Sequence, residues 1–150
     1  RRVKNGWVND GLPWSAKANP AKLYRPKPDS AKQWLVIVTS DSDATQTMAL
    51  VLSRSERGRK TPLRILLCDQ AGYLAVKATS LEKAGNPTVG DRPRQLLRSL
   101  LDQGAEVQVC GIFLPSSKLT ENDLLPGVTP AKPDAISAKM GDDATRVFVF

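Results

Sequence analysis

Trp34-Leu35-Val36-Ile37-Val38-Thr39 is a continuous apolar and β-branched run of the kind that makes a strand covered on both faces. Ser40, Asp41, Ser42 and Asp43 follow it and offer N-cap residues. Beyond them Met48, Leu50, Val51 and Leu52 give a helical apolar stretch ending near Gly58. The order is strand, loop, helix.

Downstream the unit recurs. Leu63-Arg64-Ile65-Leu66-Leu67-Cys68 reads as a second strand and Asp69-Gln70-Ala71-Gly72 as a turn. A weaker helical or irregular segment runs through Tyr73, Leu74 and Val76 towards Leu81, and Asn86-Pro87 with Gly90 marks a loop. Arg94 to Leu101 predicts a helix with Leu96, Leu97, Leu100 and Leu101 on one stripe, stopped by Gly104. Val107-Gln108-Val109-Cys110-Gly111-Ile112 is a third strand. A loop through Pro115, a short helix at Thr120–Leu125, a short strand at Gly127-Val128-Thr129, a helix over Asp134–Met140 and a strand over Arg146–Phe150 complete the chain. Apolar strands alternating with helices predict a single α/β domain, a three-layer α/β/α arrangement around a mostly parallel sheet.

Working back towards the N-terminus, residues 1–33 lack a hydrophobic period and contain Pro13, Pro20, Pro26 and Pro28, which forbid a long helix. An extended arm is expected there. Trp7, Trp14 and Tyr24 argue that it wraps its own domain or a neighbouring subunit. The net charge of +7 is concentrated in the arm: it holds eight Lys/Arg against Asp10 and Asp29, leaving fourteen against thirteen acids in residues 34–150. With no basic block of five, nucleic-acid binding is not expected; docking of the arm on an acidic partner surface is the weaker alternative.

Apolar content of 41% and charged content of 25% suit a soluble globular chain, and no apolar run approaches the roughly 20 residues a membrane helix needs. The chain opens on Arg1-Arg2 rather than Met, which fits either signal-peptide removal or truncation. A bacterial-type cytoplasmic or periplasmic setting is expected. The absence of histidine excludes Ser-His-Asp and Cys-His catalysis and HExxH zinc hydrolysis, and with only two cysteines no structural zinc is expected. Without GxxxxGK[ST] or GxGxxG, and with acidic residues after the first strand, neither nucleotide-dependent chemistry nor any other cofactor is anticipated.

In parallel sheets ligands collect beyond the carboxyl ends of the strands. Those ends carry Asp41 and Asp43, then Asp69 and Gln70, then Cys110 and Gly111. Cys110 is the sharpest candidate, because a thiol at a loop-to-helix junction can be ionised by oriented backbone N–H groups, and thiolate is the nucleophilic form. The plainer reading is packing, since cysteine is among the most buried residues. Cys68 carries the plain reading more strongly, and a Cys68–Cys110 disulfide would require the two strands to be neighbours with matching ends. The acids could serve as oxygen ligands or as acid and base, but Asp and Ser after a strand are more usually caps and turn formers.

The stretches Val36 to Thr39, Leu66-Leu67-Cys68-Asp69-Gln70-Ala71-Gly72-Tyr73, Leu97 to Gly104 with Val107 to Cys110, Asn122-Asp123-Leu124-Leu125-Pro126-Gly127-Val128, and Arg146 to Phe150 resemble the DsrE/DsrF-like family over residues 34–150. The resemblance implies a parallel five-stranded sheet between helix layers, assembled as trimers or hexamers. In the sulfur-relay members it implies a persulfide on the cysteine matched by Cys110. Two features depart from that pattern: Phe113 stands where many relatives have a second cysteine, and Pro115-Ser116-Ser117-Lys118 replaces an Arg-Arg-Gly segment. The expected function is sulfur handling, with Cys110 exchanging sulfane sulfur with a donor or acceptor protein like a sulfurtransferase. Asp41, Asp69, Gln70, Gly111 and Lys118 are its candidate ligand-binding neighbours. The alternative is a non-catalytic oligomeric binding or scaffold module in which Cys110 is structural.

Overall fold

In the computed structural model, which describes residues 32–85 and 87–150, the elements in chain order are β1 (Gln33–Val38), α1 (Asp43–Gly58), β2 (Leu63–Leu67), two 3-10 segments (Asp69–Ala75 and Ala78–Ala84), α2 (Asp91–Asp102), β3 (Glu106–Cys110), α3 (Phe113–Ser116), a 3-10 turn (Glu121–Asp123), β4 (Val128–Ala131), α4 (Pro133–Met140) and β5 (Thr145–Val149). Of the expected arm, all but Lys32 and Gln33 lies outside the described residues, as does Asn86.

The sheet has five strands in the order β4-β3-β2-β1-β5, and every neighbouring pair is parallel. From β1 to β4 each step moves one place in the same direction, so right-handed crossovers put their connecting segments on one face. The return from β4 to β5 runs the other way across the sheet, which places α4 on the opposite face. Two cores result. The larger joins Val36, Val38, Ile65, Leu67, Val107 and Val109 to Ala49 and Leu50 of α1 and Leu97 and Leu100 of α2; the smaller joins Leu35, Leu66 and Ala131 to Ile136 of α4. Parallel pairing aligns the large core in rows, Val36 with Ile65 and Ile65 with Val107, then Val38 with Leu67 and Leu67 with Val109. Each fully buried aliphatic side chain contributes about 1.5–3 kcal/mol of burial.

Helix α1 starts at Ser42, whose hydroxyl accepts the Thr45 N–H at 3.4 Å. Its core face differs from the apolar run in the sequence: Met48, Val51 and Leu52 are exposed, while Gln46, Ala49, Leu50 and Ser53 are buried. Successive residues turn by about 100° on a helix, so a run of neighbouring apolar residues cannot share one face, whereas spacings of three, four and seven can. Helix α2 follows expectation, with Leu97 and Leu100 fully buried and Leu96 and Leu101 partly so. Gly104 stops it in the left-handed region at φ 76°, its N–H bonded to the Leu101 carbonyl at 2.9 Å.

Between β3 and β4 the sequence reading needs correction. Pro115 lies inside the short helix α3 rather than in a loop, and the helix expected at Thr120–Leu125 is a single 3-10 turn. Proline is tolerated there because the first turn of a helix has no intrahelical use for its N–H groups. The irregular stretch after β2 closes into the two 3-10 segments, which bury Ala71, Gly72, Leu74 and Ala75 under the sheet's carboxyl end.

Candidate functional site

Cys110 is the last residue of β3, and Cys68 follows the last residue of β2. Cys68 is still extended, at φ −124° and ψ 160°, and its N–H donates to the Val38 carbonyl at 2.9 Å, so the strand geometry of β2 continues through it. Leu66 pairs with Gln108 and Leu67 with Val109; one step further, Cys68 stands beside Cys110. Side chains alternate along a strand, which turns Cys68 towards the Leu66 side, while Cys110, at the last position of β3, packs against the larger core and also lines a hollow with Leu66. The condition for a bridge that the sequence left open, neighbouring strands with matching ends, is met, and both thiols are free.

The pKa of the Cys68 thiol is pushed up from 9.0 to about 12, first by burial, then by the neighbouring Cys110 side chain, with the Asp69 carboxylate adding to the effect. Cys68 is therefore held as the neutral thiol. Asp69 owes its place to a left-handed backbone, φ 49°, a conformation that Asp enters more readily than most residues.

A cavity of about 460 Å³ opens over the pair, lined also by Asp69, Gln70, Tyr73, Ile112, Phe113, Ser116 and Ser117. Phe113 forms an aromatic wall. It meets Tyr73 edge-on, ring centres 5.0 Å apart at 76°, and lies so close over Gly72 that a Cβ there would come within 2.6 Å of the ring. The Ser117 hydroxyl donates to the Tyr73 hydroxyl at 3.3 Å. On its other side Cys110 borders an apolar hollow of about 280 Å³ with Leu66, Gly111, Ala131, Pro133 and Ile136. Gly111 has to be small: a Cβ would approach the Ala131 carbonyl oxygen to 2.9 Å. Cys110 occupies this double position because the chain leaves β3 towards the large core, at Phe113 and Leu114, while it leaves β4 towards α4 on the opposite face. Connections diverging from adjacent strands open a crevice at their carboxyl ends.

Asp69, Gln70 and Cys110 thus share one cavity, and Gly111 lines the separate hollow on the other side of Cys110. Lys118 is not on that cavity. It lines an adjoining hollow with Tyr73, Ser116 and Ser117, its own backbone left-handed at φ 57°. Asp41 is exposed and lines neither Cys110 hollow; it sits in the run that starts α1, where the Ser40 hydroxyl accepts the Ser42 N–H at 3.1 Å. Sequence reasoning left open whether Cys68 neighbours Cys110, and it missed Tyr73, Ser116 and Ser117 as walls. The signal for Cys68 was present, because both cysteines end apolar strands and sequential strands are neighbours about two-thirds of the time. Among the described residues no three Cys, Asp or Glu side chains converge to hold a metal ion, and no helix is long and apolar enough to cross a membrane.

No family model matches the chain, and no curated protein sequence matches it. Solved structures do. The ychN protein from E. coli superposes with a TM-score of 0.61 at 20% identity, covering 79% of this chain and 99% of that one. MTH1491 from Methanobacterium thermoautotrophicum, described as a protein of unknown function, superposes with a TM-score of 0.58 at 14% identity, covering 79% of this chain and 98% of that one. At these identities the likeness is one of fold: the chain shares the architecture of ychN and MTH1491, consistent with the DsrE-like fold.

Proposed function

We propose that the chain handles sulfane sulfur, with Cys110 as the carrier. The observation that supports this most directly is the placement of a half-buried cysteine at a strand's carboxyl end, bordering a cavity with the Cys68 thiol beside it. Thiolate is the nucleophile in sulfur exchange. In the loading step the Cys110 thiolate attacks the outer sulfur of a donor persulfide. The donor S–S bond breaks, the donor thiolate leaves, and Cys110 holds a persulfide. Attack on that outer sulfur by an acceptor thiolate passes it on, with no net gain or loss of electrons. The cavity's mixture of hydroxyl groups and aromatic wall suits a small or peptide-borne persulfide. Incubation of Cys68→Ala with a persulfide donor followed by intact-protein mass spectrometry tests the reading: one added sulfur is expected, lost when Cys110→Ser is added. Absence of the adduct from Cys68→Ala, or an equal adduct with Cys110→Ser added, sinks it.

A second reading, an oligomeric binding or scaffold module, is favoured by the exposed apolar side chains near the same rim, Ile112, Met140 and Val149, at 75%, 52% and 66% exposure. Trimers or hexamers would cover such residues. Sedimentation at micromolar concentration separates the cases, since a persistent monomer removes this reading.

A further inference from the structure

The geometry points to Cys68 as a resolving thiol: it attacks the persulfide on Cys110, expels the outer sulfur as sulfide, and closes a Cys68–Cys110 disulfide. The inference rests on the sulfur-carrying role proposed for Cys110, and it changes the product from transferred sulfane sulfur to free sulfide. Three observations carry it. The two residues are side by side one step beyond the paired Leu67 and Val109, with Cys68 still extended. Adjacent strands are spaced about 4.8 Å, and a disulfide accepts Cα separations of about 4.4–6.8 Å, so no strand has to move far. Both thiols line the same cavity, which leaves room for an outgoing sulfide.

The step balances without an outside oxidant. The Cys68 sulfur bonds to the inner sulfur, Sγ of Cys110, as the bond from that atom to the outer sulfur breaks. The outer sulfur takes both electrons of the broken bond and departs as hydrogen sulfide, carrying the proton that Cys68 loses. The sulfane sulfur is reduced, and the two cysteine sulfurs are oxidised to the disulfide. A dithiol reductant, small or protein-borne, then exchanges with the disulfide and restores both thiols.

Full-length wild type, Cys68→Ser, Cys68→Ala and Cys110→Ser are to be treated with glutathione persulfide, with released sulfide and intact mass followed together. In parallel each is treated with oxidised glutathione alone. The expected result is sulfide release from the wild type and a product lighter by two hydrogens, with Cys68 and Cys110 linked in the peptide map. Both Cys68 variants should instead keep one added sulfur and lose the sulfide release. A persulfide as durable on the wild type as on the Cys68 variants overturns the resolving role and leaves sulfur carriage standing. No added sulfur on either Cys68 variant overturns sulfur carriage, and with it the release step. Failure of oxidised glutathione to link the pair in the wild type overturns the geometry on which the inference stands.

Discussion

Cys68 stands beside Cys110 across the gap between two parallel strands, at the point where both strands end. The sulfur atoms are 42 residues apart in the chain and adjacent in the sheet. Much of what can be tested about the site follows from that adjacency.

Alkaline pH should weaken the fold through Cys68. Its pKa is raised from 9.0 to about 12, so between those values the folded chain keeps a proton that the unfolded chain has lost. Stability then falls as pH rises through this window. Urea midpoints measured from pH 8.5 to 11 should drop more steeply for the wild type than for Cys68→Ala; parallel curves would remove the argument.

Iodoacetamide labelling gives the corresponding rate test. Thiolate is the reactive form, so Cys68 should label far more slowly than an unfolded cysteine at pH 8. In Cys110→Ser the side chain that opposes its ionisation is gone, and Cys68 should label faster, though burial and Asp69 keep it below the unfolded rate. Peptide mass spectrometry reads both.

Gly72→Ala should cost about 1–3 kcal/mol, because the added methyl is driven into the Phe113 ring at 2.6 Å. Combining it with Phe113→Leu should recover part of the loss, since contacting residues do not behave additively. Chemical denaturation of the single and double variants measures the recovery; strict additivity contradicts the packing described here.

Acid should act through Asp123. This carboxylate is buried at 3% exposure and accepts from Lys83 Nζ at 2.6 Å and from the Thr120 N–H and hydroxyl at 2.9 Å each. The Lys83 contact first, then the Thr120 N–H, hold its carboxyl well below the usual range. A depressed pKa supplies stability that is present above the unfolded value of about 3.9 and is lost as pH falls below it. Asp123→Asn should flatten the acid limb of the pH–stability curve, and an unchanged limb would assign acid sensitivity elsewhere.

Leu97→Ala, removing a side chain with no exposure from the centre of α2, should cost about 2–5 kcal/mol. Met48→Ala on the exposed face of α1 should change stability by less than about 0.5 kcal/mol. Thermal denaturation of the two compares the core with the misleading apolar run in the sequence.

Sequence by itself determined the elements whose burial is two-sided or periodic. Val36 to Val38 and Ile65 to Leu67 are apolar at successive positions because both faces of those strands are covered, Val107 and Val109 alternate about Gln108, and the Leu97/Leu100 spacing belongs to a helix. It also singled out Cys110, Asp69 and Gln70, because in a parallel sheet the carboxyl ends of the strands gather at one rim. Segments without a period were less legible. Pro115 entered a helix through its first turn, and the 3-10 segments after β2 are held by tertiary burial of small residues such as Gly72 and Ala75. Only the tertiary structure decided which strands are neighbours. The order β4-β3-β2-β1-β5 depends on where each crossover lands, and from it follow the pairing of Cys68 with Cys110, the exclusion of Asp41 from the cavity and the turning of Lys118 into the adjoining hollow. Local sequence encodes which residues prefer to be buried; which thiol ends up beside which is set by long-range packing.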